Sequence, residues 1–231
     1  LLTSCNADVS LETITPSSFY ISNFTKPTQT DYTSKVSYTF QWEEYTEEAN
    51  PYGLEKYAVY VFASNDCSGS PVTSHYQNLT SYTLDLFKND GEIFSVGVAL
   101  NKGNSEVGKL VCSAPVYADK TSPTVDISTS ESFPSNSASF NVSGQCNDER
   151  SMKTSRSVRI CAKASCSQLS DFDVVTNCNN GSYQATLTPP EGLVDVQVIA
   201  YDQAGNKSSS QTLSGVAIDR IAPTASFTSH I

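Results

Sequence analysis

Apolar residues along the chain fall at every second position, in short runs broken by Gly, Asn, Asp and Pro. Val36, Tyr38, Phe40 and Trp42 share one face of one run, and Tyr57, Val59, Val61 and Ala63 share a face of the next. "SYTLDLF" (Ser81–Phe87) follows, then "IFSVGVAL" (Ile93–Leu100) with Phe94, Val96, Val98 and Leu100 on one side, then "KLVCSAPVY" (Lys109–Tyr117). A period of two with turn residues at the joints predicts half-buried antiparallel strands, and strands at this spacing predict a β-sandwich. The pattern restarts after Asp119. "TVDIS" is followed by inward positions Ala138, Phe140 and Val142; Val158, Ile160 and Ala162; Tyr183, Ala185 and Leu187; Val194, Val196, Val198 and Ala200; and Val216 and Ile218. No long stretch repeats apolar residues at helical spacing, so the fold class is all-β, two tandem β-sandwiches.

A near-repeat marks the joints. "DKTSPT" at Asp119–Thr124 returns as "DRIAPT" at Asp219–Thr224. Pro123 and Pro223 fix φ and hold the preceding residue extended, so each joint is expected to be a stiff linker. The division expected is a leader or linker over 1–15, one sandwich over 16–118, a second over 119–219, and the start of a further repeat over 220–231.

Composition narrows the chemistry. The net charge of −10 comes from scattered acids, and such a surface repels phosphate backbones, which argues against nucleic acid. No apolar run is long enough to cross a bilayer as a helix. Seven cysteines against two histidines, His75 and His230, with no CxxC pair, do not make a Cys/His zinc set. The cysteines read as disulfides, which places the chain in an oxidising compartment: periplasm, cell surface or the exterior.

Residues from about 16 to 118 resemble a fibronectin type III domain. Trp42 sits in the second strand, Tyr57 and Val59 in the third, and "LFKNDGEIFSVGVAL" matches the corner before strand F and that strand itself; Phe94 stands where the family usually has a corner tyrosine. Residues 120–219 resemble a bacterial Ig-like repeat, through "GLVDVQVIAYDQAGN" (Gly192–Asn206) and the Asp-x-x-x-Pro-Thr joints. The resemblance implies stalk or display modules of a multidomain bacterial surface protein or adhesin, extracellular or at the cell surface.

Topology favours particular cysteine pairs. The strand ending at Cys146 runs antiparallel to the one starting after Cys178, which favours Cys146–Cys178 and leaves Cys161–Cys166 to close the adjacent hairpin. Cys67 and Cys112 lie late in parallel strands flanking a third, and can bridge if the loop at Cys67 curls across. Free buried cysteines are the alternative. Cys5 is left over. "LTSC" (Leu2–Cys5) resembles the lipobox of bacterial lipoproteins, in which the cysteine carries a diacyl membrane tether and the residues before it are removed. An unpaired cysteine at position 5, or one with a partner elsewhere, is the other reading.

Catalytic motifs are not evident: there is no GxSxG, and neither histidine stands in a triad context. Glu43–Glu44 and Glu47–Glu48 read as solvated loop acids. "DISTS" (Asp126–Ser130) spells the D-x-S-x-S string of metal-dependent adhesion sites but falls on a sandwich strand, where it reads as coincidence. Five Asn-x-Ser/Thr sequons, at Asn23, Asn78, Asn141, Asn180 and Asn206, are what a Ser/Thr-rich chain produces by chance. Linker Asp119 is expected near loop acids Asp148, Glu149 and Asp202, hard oxygen ligands of the kind Ca²⁺ takes; bound there, it would lock the inter-domain angle. No other cofactor is expected. The same acids also read as solvated loop tips, and Asp202 as the shaper of the "YDQAGN" turn, where Gly205 and Asn206 accept positive φ. Tyr45 and Tyr52, in the loop "EEYTEEANPYG" (Glu43–Gly53), are candidate ligand contacts, since tyrosine offers a rigid apolar body with a polar tip; they also serve to cover the sandwich end.

The function expected is a non-catalytic stalk or display segment that spaces a distal binding domain from the cell, that domain meeting a protein or glycan on a target surface. The alternative is an accessory, carbohydrate-binding module of a secreted enzyme, which a flat row of exposed aromatics would favour. A third reading is an envelope lipoprotein that binds another protein through its sheet edges.

Overall fold

The computed structural model describes residues 21, 23–45, 56–102, 105–106 and 109–226. They form strands joined by turns and loops, with one short 3-10 turn at Leu169–Asp171 and no α-helix among the described residues. The chain divides into two compact units. The first takes in residues up to Asp31 and Val36–Ala118; the second takes in Tyr32–Lys35 and the residues from Asp119 onward.

In the first unit the strands are β1 (Phe24–Lys26), β2 (Asp31–Thr33, which straddles the division), β3 (Tyr38–Trp42), β4 (Lys56–Phe62), β5 (Thr73–Gln77), β6 (Ser81–Leu84), β7 (Ile93–Lys102), β8 (Ser105–Glu106), β9 (Val111–Cys112) and β10 (Val116–Ala118). One sheet runs β1–β3–β6 and the other β10–β7–β4–β5, with β8 and β9 also pairing with β7. Their inner faces meet in one core of Phe40, Trp42, Val59, Val61, Leu84, Phe87, Val96, Val98 and Leu100 among others. Aromatic rings knit it together. Trp42 meets Tyr57 edge-on at 5.6 Å between ring centroids, and Phe94 meets Phe87 edge-on at 5.1 Å. Phe94 thus serves by packing. Near it Tyr38 donates a 2.7 Å hydrogen bond to Asp31.

The second unit carries β11 (Thr124–Val125), β12 (Phe140–Asn147), β13 (Val158–Lys163), β14 (Val174–Thr176), β15 (Ser182–Leu187), β16 (Gly192–Ala200) and β17 (Gln211–Ile218). Its sheets run β11–β12–β15 and β14–β13–β16–β17. Strand β12 alternates buried and exposed residues along its full length, and its buried side joins Val158, Ile160, Val196, Val198 and Ile218 in a separate core. The architecture is two tandem β-sandwiches.

Three positions read as inward are not. Val36 is 57% exposed, and Ala63 and Ala138 are exposed as well. Each lies just outside a strand, before β3, after β4 and before β12, where the backbone leaves the pleat while the letters still alternate. In "YDQAGN" Gly205 alone takes positive φ, at +90°; Asn206 does not. "DRIAPT" forms no strand among its described residues, whereas the matching segment of the first copy starts β11. Residues 1–15, with Cys5, lie outside the described residues.

Candidate metal centre

Asp119, Asp148 and Asp202 converge in the second unit, one carboxylate oxygen of each lying within 4.8 Å of those of the other two. Each stands where a strand gives way to a turn. Asp119 follows β10 and begins the unit, Asp148 follows β12, and Asp202 follows β16. Strands β12 and β16 run toward the same end of the sandwich, so their terminal loops lie side by side. The two loops are clamped together: Gln203 donates its backbone N–H to the Ser151 carbonyl at 3.0 Å, and the Ser151 hydroxyl donates to the Gln203 side-chain oxygen at 2.9 Å.

Local hydrogen bonds aim the carboxylates. Asp148 accepts the backbone N–H groups of Arg150 and Ser151 on Oδ2, at 2.9 and 2.8 Å. Its Oδ1 is buried and accepts no hydrogen bond among the described residues. Turning Asp148 inward turns the next residue out: Glu149 is exposed and is not one of the three clustered acids. Asp202 accepts the Asn206 backbone N–H on Oδ1 at 2.8 Å and the Asn206 side-chain amide on Oδ2 at 2.7 Å. The same amide nitrogen donates to the carbonyls of Asp119 and Thr121, at 2.8 and 3.1 Å. Asn206 is therefore the brace of the site. In the sequence it stood out as a residue of the "YDQAGN" turn and as a sequon, neither of which signals a brace between Asp202 and the Asp119 segment.

Asp119 and Asp202 are fully buried. Burial raises the Asp202 pKa above the ordinary carboxylate value and the charge of Asp148 adds to this, while the Asn206 and Gly205 hydrogen bonds pull it back. Lys120 and Arg150 flank the site in the sequence and have contacts of their own. The donor set is all oxygen, with no sulfur or imidazole, so it fits a hard cation rather than zinc. Loops that offer both carboxylates and main-chain carbonyls suit the six to eight ligands and loose geometry of Ca²⁺. Asp119, Asp148 and Asp202 are the residues that would hold it.

The other candidate residues fall elsewhere. Tyr45 is half-buried and its ring packs on the core of the first unit; its backbone N–H donates to the Tyr57 hydroxyl at 2.9 Å. Burial holds the Tyr57 pKa above the ordinary phenol value, with the Tyr45 hydrogen bond opposing. Tyr52 lies outside the described residues. Six cysteines form three disulfides: Cys67–Cys112, Cys146–Cys178 and Cys161–Cys166. Cys146 is part of the second core, and Cys161 and Cys166 pack with Phe172 and Ile199 in a small outer cluster.

No protein-family model matches the sequence, and no curated protein matches it. Solved structures do. The chain is similar to the fibronectin(III)-like modules of Clostridium thermocellum CbhA, with 14% identity and a TM-score of 0.52 over 89% of this chain and 99% of that one. It is similar also to the FN1–FN3 domains of chicken CNTN1, with 16% identity and a TM-score of 0.50 over 86% of this chain and 64% of that one. The fold is fibronectin III-like. At such identities the likeness speaks of fold and nothing more.

Proposed function

We propose that this chain is a non-catalytic spacer segment of a secreted or surface-displayed protein, holding a distal binding domain away from its point of attachment, and that its second unit takes up Ca²⁺ at Asp119, Asp148 and Asp202. One observation carries the reading. Each unit buries its own core, and each is clamped by a disulfide joining residues far apart in sequence. Disulfides in every part of a chain of this length belong to an oxidising environment. A sandwich built of strands of seven or eight residues adds roughly 25 Å of reach per strand length. The disulfides limit how far a unit extends if it opens under load. A carbohydrate-binding role would call for a platform of aromatic rings, and among the described residues Tyr76 is the one exposed Phe, Trp or Tyr.

Single-molecule stretching of the whole chain tests the proposal. Two separate unfolding events are expected. On reduction the event of the first unit lengthens by roughly 150 Å and that of the second by roughly 110 Å, at about 3.5 Å per residue released, because the bridges span 45 and 32 residues of sequence. A single event spanning both units, or extension without a resisting peak, overturns it.

A further inference from the structure

The first unit ends on one side in a regular strand whose outer margin is open among the described residues. Strand β5 pairs with β4 through five consecutive residue pairs with no register shift, and among the described residues it has no strand on its other side. Thr73, Ser74, His75 and Tyr76 are all exposed. Val72 just before the strand and Leu79 just after it are exposed too, at 53% and 68%.

An edge strand presents main-chain N–H and C=O groups at alternate residues, and proteins ordinarily blunt such edges with charges, proline, bulges or shortness. The other margins are blunted or covered. Strand β6 has four residues and its Ser81 carbonyl accepts the Gln77 side-chain amide; β15 is regular and uncharged, but its Gln184 carbonyl accepts the hydroxyl of Thr176 on β14. Strand β1 has three residues, includes Lys26 and shifts register; β11 has two residues and follows Pro123; β14 has three. Strand β17 is longer, but the β16–β17 ladder shifts register, Gly215 takes a φ of +76°, and Ile218 is bridged by Ser135. Strand β5 has none of these. Pro71 stands outside it, and residues 67–84 contain no Asp, Glu, Lys or Arg, although such residues make up 16% of the chain. His75, the one histidine there, packs its ring on Tyr82 at 6.0 Å between centroids.

We propose that β5 is a self-association edge, at which two copies of this chain pair antiparallel through Thr73–Gln77 and join their sheets into one. Charge selects a second copy as the occupant. Each copy carries −10, so two copies repel over most of their surface. The uncharged edge is where they approach without setting like charges together. A basic partner would be met by acids, and this stretch has none. A two-fold axis at His75 sets Tyr76 across from Ser74 of the second copy and Thr73 across from Gln77, an isologous match in which one segment supplies both sides. A five-residue edge lies at the small end of interface sizes, so the dimer is weak and concentration-dependent. Copies displayed side by side on one surface, at local concentrations of order mM, would pair; that consequence rests on the spacer reading, while the pairing does not.

Sedimentation of the whole chain from about 10 µM to about 1 mM, with hydrogen exchange at both limits, is the test. Expected are a reversible dimer, slowed exchange at concentration confined to the Thr73–Gln77 amides, and at least a tenfold weaker dimer in S74K/Y76K. Thr212→Lys, on exposed β17, should leave the dimer unchanged. A monomer at every concentration overturns the proposal. So does protection elsewhere, a dimer that survives S74K/Y76K, or equal loss in T212K. Because exchange is read on the unaltered chain, a variant that misfolds does not remove the test. Separate, mechanically resistant unfolding events can be seen whether or not the dimer forms, so the two proposals fail independently.

Discussion

A methyl group at position 144 has nowhere to go. Gly144 sits on the inward side of β12, and a Cβ there would collide with the Asp126 carbonyl oxygen and come within 2.7 Å of Tyr183 Cε1. Those atoms are held in place: Tyr183 donates to the Asp126 carbonyl at 2.7 Å, and Asp126 accepts the Gln145 N–H at 2.6 Å. Gly144→Ala is expected to destabilise the second unit by about 1–3 kcal/mol through overpacking; urea unfolding reads the loss, and the first unit should keep its midpoint. Asp202 gives an unusual pH dependence. Its folded pKa is raised, so between the ordinary carboxylate value and the raised one the folded state binds more protons than the unfolded state. Stability from this group is therefore fully present at low pH and is lost as pH rises through the raised pKa. Bound Ca²⁺ should offset that loss. Thermal unfolding of the second unit near neutral pH is expected to shift upward with added Ca²⁺ and back with chelator, and Asp202→Asn should flatten both responses. A midpoint indifferent to Ca²⁺ would remove the metal from the proposed function and leave the spacer standing.

Among the elements, the disulfides are the strongest local constraint. Cys146–Cys178 closes a sequence span of 32 residues, tying the end of β12 to the segment that leads into β15. Replacing both cysteines by alanine is expected to cost the second unit about 3–4 kcal/mol, on the loop-closure argument, measured as a lower denaturant midpoint for that unit alone. At this scale much could be read from the letters. Tyr38, Phe40 and Trp42, or Val194, Val196, Val198 and Ala200, face inward as their spacing predicts. Val36, Ala63 and Ala138 do not, because alternation in sequence continues past the ends of β3, β4 and β12, where the pleat stops. The exposed margin at β5 left a signal too, the uncharged run 67–84, but a run of neutral residues says nothing about which strand ends a sheet.

At the scale of the molecule, two cores of similar make-up lie on either side of Ala118 and Asp119, close to where the repeated Asp-x-x-x-Pro-Thr phrase divides the chain. The alternating pattern by itself determined the all-β class, the presence of two sandwiches and nearly every inward residue. Period-two burial depends only on neighbours along one strand, and that information is local. The exclusion of Glu149 from the expected cluster of Asp119, Asp148 and Asp202, the bracing role of Asn206, the collision waiting at Gly144 and the open side of β5 were decided by the tertiary structure. Each depends on which loop ends or strands lie beside one another across tens of residues. Sheet order and core packing settle that adjacency, and no single stretch of sequence encodes it.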